Sequence, residues 1–122
     1  MARRIYIAVI SVAIVSGVTL AAQDAKQVEE GKKVYEVYNC NKCHRIGGTS
    51  TKLQPLDGVA TKLTADEIHK WLVSPDEMTA KLKKKPVTKM KKQDFKPGEV
   101  EALMLILEEL RKVIVRRTQV TG

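Results

Sequence analysis

Cys40-Asn41-Lys42-Cys43-His44 is the stretch on which the reading of this chain turns. Two cysteines three apart with a histidine directly after is the spacing that attaches a c-type haem. The chemistry sets the spacing. Each thiol adds across one vinyl group of the porphyrin, so two thioethers hold the ring against a short piece of backbone. The next residue then aims its imidazole at the iron as the proximal ligand. Cys40 and Cys43 are the only cysteines in the 122 residues, so this reading leaves no thiol over. Three other readings stand beside it. A zinc site needs four ligands, and His69 is the only other histidine. A thioredoxin-like pair needs strands alternating with helices around the motif, a pattern the sequence lacks. A disulfide between Cys40 and Cys43 closes a very small loop and leaves His44 without a task.

Working outward, 23–38 reads as a helix leading into the motif. Val28, Val34, Tyr35 and Tyr38 fall on one face at helical spacing. Gly31 sits inside it, where glycine costs up to about 1 kcal/mol relative to alanine, and such a glycine permits close approach of another helix. Further upstream, Arg3 and Arg4 precede an uncharged, mostly apolar run from Ile5 to Leu20, followed by the small residues Ala21 and Ala22. Residues 1–22 read either as a cleaved signal peptide or as a retained membrane anchor. The run is slightly long for a signal core and slightly short for a span of about 20 residues. Either way the remainder, 23–122, is a single domain outside the cytoplasm.

Downstream, 46–62 carries no helical or strand period and is punctuated by Gly47, Gly48, Pro55 and Gly58. A loop of this length needs something to wrap, and Leu53, Pro55, Leu56 and Val59 can cover a haem face. Thr64 and Glu67 form a capping box that opens a short helix, with Ile68, Trp71 and Leu72 on its buried face and Ser74-Pro75 at its end. Trp71 reads as a core or haem-edge contact and His69 as a surface residue. From Lys81 to Lys92 seven of twelve residues are lysine, interrupted by Pro86 and Met90, which reads as a solvated loop. The strongest helix is the last. Pro97 suits its first turn, and Val100, Leu103, Met104, Leu107, Leu110 and Ile114 form an apolar stripe. Leu105 and Ile106 lie off that stripe and either widen it or meet a partner.

Only 4% of the chain is aromatic. A porphyrin held covalently supplies the apolar surface that the core lacks, so its burial is a condition of folding.

With these elements in place, the chain resembles a small class I monohaem cytochrome c of the bacterial, exported kind, over residues 28 to 110. Gly31-Lys32-Lys33-Val34-Tyr35 is similar to the helix that precedes the haem motif in that family. Pro55-Leu56-Asp57-Gly58-Val59 is similar to its loop beside the proximal histidine, and Trp71 to Pro75 to its Trp-Leu-x-x-Pro segment. Glu99-Val100-Glu101-Ala102-Leu103 opens the last helix much as the family's does. The resemblance implies an all-α fold, with three to four helices and long irregular loops packed around one covalent haem c. It also implies that the last helix crosses the first near Gly31 and Tyr35. Two features depart from the pattern. Ile106 stands where the family has an aromatic residue, and Lys91 rather than proline follows Met90.

For the sixth iron ligand the candidates are Met78, Met90, Met104 and His69. Met104 lies on the helical stripe, and Met78 follows closely on Pro75. Met90 occupies the irregular segment before the last helix, where the family places its ligand. A thioether opposite histidine raises the reduction potential. With Met90 in that role, Lys85, Lys89, Lys91 and Lys92 ring the haem crevice. The net charge is +8, or +6 once Arg3 and Arg4 leave with residues 1–22. A one-signed ring of this kind steers encounter with an acidic redox protein or a membrane-bound electron-transfer complex. Nucleic acid is excluded by export and by the lack of aromatic residues in the lysine loop. The expected function is that of a one-electron carrier in the periplasm, not an enzyme, either diffusing or tethered through residues 5–22. The alternatives are a fixed haem subunit of a respiratory or photosynthetic complex, and a haem enzyme or gas sensor with an open iron site.

Overall fold

In the computed structural model, residues 24–47 and 53–121 are described. Residues 1–22, the expected signal peptide or anchor, lie outside them. Helix α1 spans 24–37 and α5 spans Glu99–Val120. Between them lie a 3-10 turn at Cys40–Lys42, strand β1 at His44–Arg45, strand β2 at Gln54–Pro55 and helix α2 at Val59–Lys62. Helices α3 at Ala65–Val73 and α4 at Pro75–Lys81 follow. The fold is all-α, and its only sheet among the described residues is the parallel pair of two-residue strands, with His44 opposite Gln54.

The core forms where α1 meets α5. Val34, Leu103 and Ile106 are buried together, and Tyr35, Tyr38, Leu72, Phe95 and Leu110 pack against them. The approach is closest at Gly31. A methyl group built there would run into the Ala102 carbonyl and come within 2.8 Å of Ile106 Cγ1. Ile106 is 5% exposed, so it widens the buried face of α5 and is not available to a partner. Met104, expected in the core, is half-buried, as is Leu105. Helices α2 and α3 also pack on α5.

Three details differ from the sequence reading, each for a local reason. Within the stretch expected to be irregular, β2 and α2 are ordered. They are too short to carry a period, and pairing with β1 and packing on α5 hold them. Among the described residues, five α-helices stand where three to four were expected. Pro75 both ends α3 and opens α4, where its missing N–H is no loss. Pro97 lies one residue ahead of the α5 N-cap, which is Gly98 in the left-handed region at φ 87°. The capping box of α3 is present as read: the Thr64 side chain accepts from the Glu67 N–H and the Glu67 carboxylate accepts from the Thr64 N–H.

Gly31→Ala should destabilise the protein by at least the 1–3 kcal/mol typical of overpacking (about that order), because the obstacle is backbone. Ile106→Ala should cost about 2–5 kcal/mol. Denaturant unfolding of the holoprotein measures both, and a neutral Gly31→Ala would contradict the close approach.

Candidate haem-attachment site

The end of α1 delivers the two cysteines. The Asn39 N–H bonds the Glu36 carbonyl, and Asn39 turns the chain in the left-handed region at φ 55°, which asparagine tolerates better than most residues. A 3-10 turn then carries Cys40, and the Cys43 N–H closes back on the Cys40 carbonyl. Both thiols are free, so the structure does not contain the disulfide left open by the sequence. Cys40 is half-buried and Cys43 exposed. Burial pushes the Cys40 thiol above its ordinary pKa, a backbone hydrogen bond offsets part of this, and the neighbouring Cys43 adds to the rise.

His44 is fixed from three sides. Tyr35 donates its hydroxyl to the His44 carbonyl at 2.8 Å. The N–H of Gln54 bonds the Cys43 carbonyl and that of Leu56 bonds the Arg45 carbonyl, so β2 runs alongside the motif. Asp57 closes the base of the loop by accepting the Gly47 N–H at 2.7 Å, with Arg45 3.7 Å from its other oxygen. The imidazole itself is largely covered, and burial lowers its pKa. The backbone of Gln54 partly offsets that lowering, and Nδ1 is buried without a hydrogen-bond partner. A metal-bound histidine gives its second ring N–H to a backbone carbonyl or carboxylate. This ring, with a buried Nδ1 that has no hydrogen-bond partner, fits that role.

The remaining candidates sit as follows. Leu56 and Trp71 are half-buried, whereas Pro55 is exposed. Met90 is half-buried in the coil after α4 and is the one residue between Ala80 and Lys92 that is not exposed. Lys89, Lys91 and Lys92 are exposed. Lys85 turns back, donating to the carbonyls of Thr79 at 3.0 Å and Ala80 at 2.6 Å. Its ammonium thus complements the negative end of α4. His69 and Met78 are half-buried on α3 and α4.

A set of residues that sequence reasoning treated only as apolar or dipole-related ties the Met90 segment down. Tyr38, at the end of α1, donates to Glu99 Oε2 at 2.7 Å and lies 3.0 Å from the Asp94 carbonyl. Its ring meets Phe95 edge-on at 4.8 Å between centroids, a favoured aromatic geometry. The Glu99 carboxylate also accepts the Lys96 N–H at 2.7 Å. The segment after Met90 is therefore pinned to the helix that carries the cysteines. The signal was available in the choice of Tyr over Phe on an apolar face, because a phenol there seeks a partner for its hydroxyl.

The turn that follows α1 sets Cys40 and Cys43 three apart, with His44 directly after and its backbone held by Tyr35, which is the arrangement that attaches a haem c. The comparison with protein families agrees: the Cytochrome c family matches residues 28–110, and the chain belongs to it. With the family come a covalently bound haem c, for which Cys40 and Cys43 have the attachment spacing, and the role of haem-binding electron carrier with redox partners. Comparison with curated proteins and with solved structures gave no match.

The Tyr38 hydroxyl, then the Lys96 N–H, hold the Glu99 carboxyl below the usual carboxylate range. A lowered folded-state pKa stabilises above the unfolded value, and that stabilisation is lost as pH falls through the folded one. Tyr38→Phe should lower the denaturation midpoint at neutral pH. The difference from the parent should shrink as pH drops through and below the ordinary carboxylate range. A difference independent of pH would contradict the charged acceptor.

Proposed function

We propose that this protein is a one-electron carrier with His44 and Met90 as its axial ligands, working outside the cytoplasm. What carries the reading is the half-buried Met90 in an otherwise exposed lysine run, on a segment tied by Tyr38 and Glu99 to the helix that leads into the motif. Haem c supplies a one-electron ferrous/ferric couple. Cys40 and Cys43 hold it, while the bond from Tyr35 to the His44 carbonyl keeps that backbone in register. Leu56 and Trp71 pack on the ring, and Pro55 guards its edge. With His44 and Met90 both holding the iron, no position would remain for substrate, which would separate a carrier from a haem enzyme or sensor.

Lys89, Lys91 and Lys92 flank Met90 in the sequence and are exposed. Lys85, though engaged with α4, adds its charge to the same rim. These lysines form the docking face for an acidic redox protein or membrane-bound complex. Electrostatic steering by such a face raises on-rates by about 10–10³ at low salt. Residues 1–22 export the domain, 23–122, to the periplasm and then are cleaved or remain as its tether.

Met90→Ala tests the ligand. It should abolish the long-wavelength sulfur-to-iron absorption of the ferric protein, lower the reduction potential and let the ferrous protein bind carbon monoxide. The same losses from Met78→Ala, with Met90→Ala unaffected, would refute the assignment. Replacing Lys89, Lys91 and Lys92 together by Gln should slow electron transfer to an acidic partner at low salt and flatten its salt dependence. Rates unchanged at low salt would place the docking face elsewhere.

A further inference from the structure

We propose that the last two turns of α5 rest on an anionic lipid surface, through the face formed by Val113, Arg116, Arg117 and Val120. The proposal rests on the tether reading above, in which residues 5–22 stay attached and enter the membrane.

These four residues are spaced i, i+3, i+4, i+7 and so share one helix face. Val113 is 42% exposed and Val120 87%. Arg116 and Arg117 are exposed and have no ion pair among the described residues. No Asp or Glu follows Glu109, whereas four basic residues do. Arg111 and Lys112 are paired back to Glu108 and Glu109, so the unpaired charge gathers at the end of the helix. A basic and apolar face of this kind suits the interface of a bilayer, where the valines reach the acyl boundary and the guanidinium groups meet phosphates. Docking of a second copy through the same face would bring arginines against arginines.

Geometry brings this face to the lipid. Helices α1 and α5 run in opposite senses: Tyr38 meets Glu99, and Gly31, seven residues earlier, meets Ala102 and Ile106. Asp24, seven residues before Gly31, therefore lies about 10 Å further along α5, near the level of Lys112, and α5 continues past that level to Val120. Eight residues of helix extend about 12 Å. The apolar run ends at Leu20, and the four steps from there to Asp24 span at most about 14 Å. Thus the overhang of α5 is long enough to reach the plane at which a retained anchor would leave the bilayer.

The test uses the full-length holoprotein in bilayers of phosphatidylcholine alone or with phosphatidylglycerol, following amide hydrogen exchange over 113–120. Exchange there should slow at least about tenfold in the anionic bilayer relative to the neutral one, and the protection should vanish in about 1 M salt. Arg116→Gln with Arg117→Gln should abolish the protection while leaving the haem spectrum and helix content unchanged. Equal exchange in the two bilayers, or protection in lipid-free detergent that grows with protein concentration, would overturn the proposal. Intact mass taken before reconstitution separates the two failures. Loss of residues 1–22 overturns the tether reading and this proposal with it, whereas flat exchange with those residues present overturns this proposal alone.

Discussion

The contact between α1 and α5 at Gly31 is the constraint on which the remainder depends. With no side chain at Gly31, the backbone of α1 comes down onto Ala102 and the flank of Ile106. Everything that defines the site hangs from that crossing. Cys40 follows directly from the end of α1, and the segment holding Met90 leads directly into the start of α5. Bringing the two helices together sets the end of α1 against the start of α5, where Tyr38 meets Glu99, 61 residues away in sequence. The contact between Tyr38 and Glu99 then sets their register, since a phenol donating to a carboxylate has far narrower geometric limits than apolar packing.

The two tyrosines of α1 divide the work. Tyr35 is turned towards the motif and holds the backbone of His44, while Tyr38 is turned towards the last helix and holds Asp94, Phe95 and Glu99. Burial raises the Tyr35 pKa, and the Glu99 carboxylate raises that of Tyr38, so both hydroxyls remain donors at neutral pH. The buried core itself is small and aliphatic: Val34, Ile68, Val100, Ala102, Leu103, Ile106 and Leu107. No aromatic residue is among them. Among the described residues, the aromatic pair joins α1 to the segment before α5 instead, where Tyr38 meets Phe95, and Ile106 fills the helix crossing with an aliphatic side chain.

What could be read from the sequence was whatever is specified locally. The haem motif is contained in five residues and the capping box of α3 in four, and both stand as read. The repeating stripe of α5 stands in part, since Val100, Leu103 and Leu107 are buried, whereas Met104 is half-buried and Ile106, read as off the stripe, is buried. The strands and α2 escaped notice because two- and four-residue elements have no period, and only tertiary contact fixes them. The partners of Tyr38 escaped for a different reason. They lie 56 and 61 residues away, beyond any local rule. Ile106 was ambiguous because the stripe of α5 is broad, and the width of the groove that Gly31 opens in α1 decided its side. The roles of Lys85 and Lys89 were indistinguishable as letters in a charge run; proximity to the end of α4 separates them.

The central claim is that Cys40 and Cys43 carry a porphyrin through thioether bonds. Intact mass under acidic, denaturing conditions, combined with thiol alkylation, tests it most directly in protein made by a host with working cytochrome maturation. The account predicts a polypeptide that keeps the added mass of one haem after denaturation, with neither cysteine open to alkylation. Polypeptide at its bare mass, colourless and alkylated at both Cys40 and Cys43, would contradict it.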